Sequence, residues 1–143
     1  MDWTEDFVWL ENPGSPECWT KPGLLMFFNL ECPGCVSRGV PFMKRIYKDY
    51  GDQLHLVLIH TSFGHKHYSK DEVVPTLIHF AESFARLPFP VALDNDSSLA
   101  KAYQIEGTPH WFVFNEGKLI RSLFGSQDNA QQRLEYLMAE LLE

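Results

Sequence analysis

Within this 143-residue chain, Cys32-Pro33-Gly34-Cys35 is the stretch whose residue types and spacing could do chemistry. Two thiols three residues apart in the first turn of a helix lie on one face and can close a small disulfide. The orphan N–H groups and the dipole at a helix start favour a thiolate. That makes Cys32, the more exposed of the two, the nucleophile, and Cys35, one turn further in, the resolving thiol. Pro33 suits the first helical position because it has no N–H to leave unpaired. In the exchange, the Cys32 thiolate attacks a substrate disulfide, forms a mixed disulfide and expels one thiolate. Cys35 then attacks the mixed disulfide, releases the second substrate thiolate and leaves Cys32–Cys35 oxidised. Two plainer readings stand beside this one. The cysteines could be half of a zinc site completed by Cys18, His65 or His67, or they could be inert buried thiols. No second Cys-x-x-Cys exists and the spacing is not that of a zinc finger, so no metal and no cofactor are expected.

The elements around the pair favour redox chemistry. Leu24 to Phe28 is an unbroken apolar run, long enough for a buried strand and too short for an independent helix. The helix after the pair should reach about Tyr50, with Val36, Val40, Met43, Ile46, Tyr47 and Tyr50 as its apolar stripe and a kink at Pro41. Leu54 to Ile59 reads as a second buried strand, followed by a loop from His60 to His67. Asp71 to Leu87 reads as a helix, with Ser69 and Glu72 as a capping box. Short elements follow: strand Val91–Leu93, helix Ser97–Tyr103, strand Trp111–Phe114, strand Leu119–Phe124 and a last helix from about Asp128. Phe7 to Leu10 could add one more short strand. The βα alternation implies a largely parallel sheet with helices on both faces and a terminal hairpin. In such sheets chemistry gathers at the carboxyl ends of the parallel strands, where Cys32 falls.

Composition narrows the classes. Hydrophobic residues make up 45% and aromatic residues 14%, enough for a packed core, which excludes a disordered chain. The length argues for one domain over 1–143, with 1–23 as an N-terminal extension. A net charge of -7 without a basic run argues against nucleic acid and against an anionic membrane as partners. Three cysteines do not make a disulfide scaffold. Cys18 reads as an ordinary semi-exposed thiol. Met1 to Asp6 is acidic and lacks the basic and apolar regions of a signal peptide. The sequence as it stands therefore reads as cytoplasmic, and as periplasmic or secreted if a leader has been trimmed.

A strand running into Cys-x-x-Cys, with Gly107-Thr108-Pro109 before a later strand and hairpin, resembles the thioredoxin superfamily. The helix at 71–87 is similar to the insert of the TlpA and ResA branch. His60-Thr61 and Phe89 to Asp96 resemble the thioredoxin-like domain of DipZ proteins. The resemblance covers residues 7–142. It implies a thioredoxin-like α/β fold, with a central mixed sheet, helices on both faces and a TlpA-type helical insert. It also implies that Pro109 is cis and that Thr108-Pro109 forms a shelf whose backbone pairs with substrate.

The sequence departs from that family in ways that bear on proton movement. Glu31 replaces the usual Trp before the first Cys and opposes a thiolate. Met26 stands where thioredoxin has a buried Asp, and Arg38 where ResA-like proteins have a Glu. Glu106, just before the Gly107-Thr108-Pro109 turn, is the closest remaining carboxylate by sequence logic, and is the candidate for proton transfer or tuning. His65 and His67 read as solvated loop residues, His110 as an edge-facing residue close to the site, and His55 and His79 as structural or exposed.

The reading is a thiol–disulfide oxidoreductase that exchanges electrons with protein disulfides, acting as a monomeric reductase fed by a thiol donor. A peroxiredoxin-like thiol peroxidase is the alternative enzyme, although Asn29 occupies the position where that family expects Thr. A thioredoxin-fold binding module is the alternative without catalysis.

Overall fold

The computed structural model describes residues 3–143. Its centre is one six-stranded mixed sheet in the order β1-β4-β3-β2-β5-β6. The strands are β1 (Phe7–Trp9), β2 (Gly23–Phe28), β3 (His55–Thr61), β4 (Val91–Asp94), β5 (His110–Asn115) and β6 (Lys118–Phe124). Only β2, β3 and β4 run parallel. β1 joins the β4 edge antiparallel, and β5 and β6 extend the other edge antiparallel. The sheet is thus half parallel rather than largely so, because the N-terminal segment supplies an edge strand of its own.

β2 lies between β3 and β5, and all six of its residues are buried. Its side chains alternate between two cores, which is why its apolar run has no polar interruption. Leu24, Met26 and Phe28 face the helices α1 (Val40–Tyr50), α2 (Lys70–His79) and α4 (Asp128–Leu142) through Phe42, Ile46, Leu77, Leu134 and Met138. Leu25 and Phe27 face α3 (Ser98–Tyr103), Phe112 and Phe114 on the opposite face. Trp19, from the N-terminal turns, closes that second core at the amino end of β2 and stacks on the half-buried His55 at 4.7 Å.

Two helices differ from their sequence expectation. After Cys35 the chain makes a wide π-type turn over Cys35–Gly39, closed by Val40 N–H donating to the Cys35 carbonyl. The α-helix begins only at Val40, so Pro41 sits in its first turn, where its missing N–H costs little, rather than kinking its middle. Likewise α2 ends at His79 and passes into a π-type turn over Phe80–Phe84, instead of running unbroken to Leu87. Its start is as expected: Glu72 N–H donates to Ser69 Oγ, and Ser69 N–H donates back to Glu72 Oε1, each at 3.3 Å. Among the described residues no helix is long and apolar enough to cross a membrane.

Candidate functional site

The site forms where β2 gives way to the cysteine turn. Asn29, almost fully buried, holds the bend: its Oδ1 accepts from Glu31 N–H at 2.8 Å and its Nδ2 donates to the Thr61 carbonyl at 2.8 Å. Cys32 N–H donates to the Asn29 carbonyl at 3.0 Å, and Leu30 N–H donates to His60 Nε2 at 3.2 Å. The residues before Cys32 are therefore tied to the end of β3 and to one another.

Cys32 and Cys35 are joined as a disulfide, with their Cα atoms 5.3 Å apart. Cys35 is wholly buried and Cys32 is 6% exposed, so the outer thiol is the more accessible but lies recessed, not on the open surface. Cys35 N–H points at Cys32 Sγ at 3.2 Å, a donor that would favour a thiolate on that sulfur.

Thr108 and Pro109 close the other side. Their peptide bond is cis. The Thr108 carbonyl oxygen lies 3.5 Å from Cys32 Sγ, so chain positions 76 residues apart meet at this sulfur. The Pro109 carbonyl accepts from Gly125 N–H at 2.9 Å. Thr108 Oγ1 is 2.6 Å from His65 Nε2. His65 thus flanks the site rather than being a free loop residue. Burial lowers its pKa, against a smaller opposing pull from Glu31.

His110 is 2% exposed and not edge-facing. Its Nδ1 accepts from Glu106 N–H at 3.1 Å, so its Nε2 carries the proton and donates to Ser122 Oγ at 2.7 Å. The ring stacks on Phe112 at 4.7 Å. This residue ties the turn that carries Thr108-Pro109 to β6, and burial lowers its pKa, with Glu106 opposing. The Glu106 side chain itself is exposed.

His60 shows what sequence reasoning missed. It belongs to β3 rather than to the following loop, since the ladder with β4 continues through Thr61. It is 6% exposed and packs edge-on to Phe28, with ring centroids 5.3 Å apart. Desolvation pushes its pKa down to about 4, the neighbouring His65 adds to this, and Glu31 opposes it. The available signal was a lone imidazole at the end of an apolar strand, on the same side as the cysteines. Tyr68, from the loop before α2, donates its hydroxyl to Glu31 Oε2 at 2.6 Å, and that bond raises the phenol pKa.

Other candidates lie elsewhere. Arg38 pairs with Asp128 at 3.1 Å on the surface. Met26 is fully buried, with its sulfur packed close to Gly39. Cys18 is a free, exposed thiol beside Trp19, at the end of β2 opposite the pair.

The chain is similar in sequence and fold to known proteins. The chain is 27% identical over 101 residues to the thiol-disulfide oxidoreductase YkuV of Bacillus subtilis (strain 168), a match covering 71% of this chain and 64% of that protein, somewhat under two thirds of its length. The crystal structure of a thiol-disulfide isomerase from Corynebacterium glutamicum superposes with a TM-score of 0.81 and 28% identity, covering 96% of this chain and 91% of that one. StoA from Bacillus subtilis shares the fold, with a TM-score of 0.62 and 24% identity, covering 87% of this chain and 84% of its own. These likenesses bear out the thioredoxin-like α/β fold. The family model described as AhpC/TSA matches residues 17–123, a span that holds the cysteine pair, the His60 strand and the Thr108–Pro109 turn, and on that match the chain belongs to the AhpC/TSA family.

Proposed function

We propose that this protein is a thiol–disulfide oxidoreductase that acts on protein disulfides as a reductase. The observation that carries the reading is the Cys32–Cys35 pair at the carboxyl end of β2, with Cys32 Sγ against the carbonyl of Thr108 beside cis Pro109. In the reduced protein the Cys32 thiolate attacks a substrate sulfur, helped by the Cys35 N–H. Cys35 resolves the mixed disulfide, two electrons pass to the substrate, and a thiol donor restores the pair. Thr108 and Pro109 form the shelf along which substrate backbone lies. Glu106 is the carboxylate we assign to proton transfer or tuning, and Glu106→Gln should alter the pH profile of exchange. The chain works as a single domain and as a monomer in a reducing compartment.

Asn29 bears on the peroxidase alternative. Its Oδ1 and one of its two Nδ2 protons are engaged by backbone partners, and it has no hydroxyl to offer a peroxide.

Reduction of insulin by dithiothreitol tests the proposal. The wild type should accelerate it, Cys32→Ser should not, and Cys35→Ser should accumulate a mixed disulfide detectable by mass. Equal rates with and without the protein would refute it.

A further inference from the structure

Beside the cysteine turn lies a cavity of about 310 Å³, lined by Asn29, Leu30, Glu31, His60, Tyr68, Glu72, Val73 and Thr76. That is at the low end of the roughly 300–1,000 Å³ range of ligand clefts, room for one long side chain with part of its backbone. Leu30 and Val73 make an apolar floor. Glu31 adjoins the nucleophile in sequence, and Glu72 stands on the first turn of α2. Each carboxylate accepts hydrogen bonds at one oxygen only, Glu31 from Tyr68 and Glu72 from Ser69. Among the described residues neither forms an ion pair, and Lys66 lies over the Tyr68 ring instead, 5.0 Å from its centroid.

The wall holds a second, independent feature. His60 Nε2 accepts from Leu30 N–H, so the neutral ring carries its proton on Nδ1, and that buried atom has no hydrogen-bond partner. A buried donor without an acceptor is costly and is relieved by an incoming oxygen. The ring stays neutral near pH 7 and does not offset the two carboxylates.

We infer that this cavity is a subsite for a lysine or arginine residue flanking the cysteine of the substrate disulfide. Such a residue has an apolar stem for Leu30 and Val73, a cationic head for Glu31 and Glu72, and a peptide oxygen for His60. The inference rests on the thiol–disulfide exchange proposed above and adds the substrate class that exchange prefers: disulfides in basic sequence. The net charge of -7 draws the same partners from a distance.

The test uses one cysteine peptide, dimerised through its disulfide, in three forms with Lys, norleucine or Glu beside the cysteine. The reduced protein is mixed with each form, and kcat/KM is referred to that of the neutral, side-chain-free 2-hydroxyethyl disulfide measured with the same variant. The wild type should rank Lys above norleucine above Glu, with a spread of about tenfold that shrinks in high salt. Glu72→Gln keeps the capping box and should cut that spread to about twofold. Thr76→Phe, at the exposed rim, should block the cavity and remove the Lys preference by a different route. Equal rates for the three peptides, or a Lys preference that survives both substitutions, would overturn the subsite while leaving the exchange reaction standing. Failure of every disulfide to react, 2-hydroxyethyl disulfide included, would overturn the exchange reaction itself and the subsite with it.

Discussion

Acid should destabilise this protein through His60 more than through any other histidine, and the size of the effect follows from its burial. The ring sits at the end of β3 against Phe28, 6% exposed, and its pKa is pushed down to about 4 from 6.5. In the unfolded chain the same ring titrates near 6.5. The unfolded state therefore takes up the proton first as pH falls, and stability is lost in that direction. The contribution is complete above the unfolded value and disappears as pH approaches about 4. A fall of that size is worth about 3 kcal/mol, a large share of the roughly 5–15 kcal/mol that holds a domain folded. Protonation also removes the Nε2 lone pair that accepts Leu30 N–H, loosening the linker to Cys32. Urea unfolding of the oxidised protein at pH 7.5 and pH 4, for the wild type and for His60→Leu, measures the effect. At pH 7.5 the variant should be less stable by about 1 kcal/mol, since Leu30 N–H loses its acceptor while an unpaired donor is also removed. Between the two pH values the wild type should lose about 3 kcal/mol more than the variant. The carboxylates and the other histidines are common to both proteins and cancel in that difference. Parallel losses would refute the reasoning, as would an NMR titration of His60 with its midpoint near 6.5.

Other perturbations have expected outcomes too. His65→Ala frees Thr108 Oγ1 and should lower kcat/KM for protein disulfides by about two- to tenfold, the worth of one hydrogen bond, with His65→Gln restoring part of the loss in the same assay. Asp94→Ala leaves the Thr61 hydroxyl and the Leu99 and Ala100 N–H groups without their acceptor. It should cost about 3 kcal/mol, a fall in Tm of roughly 6–12 °C by calorimetry. Gly23→Ala places its methyl against the Trp19 indole and should cost about 1–3 kcal/mol, with a change in tryptophan fluorescence as the ring is displaced.

The strands and the paired cysteines were legible because their signals are local. β2 is buried on both faces, so every residue in it is apolar, and the Ser69–Glu72 box lies within four residues. What was missed depends on distant chain segments. His60 lies in a strand because both β2 and β4 pair with it there, and its ring is packed against Phe28. Polar residues alone made that stretch read as a loop. His110 follows a proline and reads as an edge residue, yet Ser122, Phe112 and the Glu106 N–H enclose its ring from three sides. The wide turns at Cys35–Gly39 and Phe80–Phe84 keep helical periodicity in sequence while changing the hydrogen-bond step, which spacing does not reveal. His65 meets Thr108 across 43 positions, a pairing that only the fold creates.

A reversible two-electron couple between Cys32 and Cys35 has one defined reduction potential, and that potential is the measurement to make. The protein would be equilibrated in graded thiol buffers, alkylated and weighed, with zinc assayed in the same sample. Cys18 is free and exposed, so one alkylated cysteine is expected in the oxidised form and three in the reduced form. For a reductase, a single transition between these masses is expected near the thioredoxin value of roughly −270 mV. A transition at roughly −180 to −120 mV would contradict the reductase direction and indicate an oxidant or isomerase. No transition, or stoichiometric zinc, would contradict the redox account altogether.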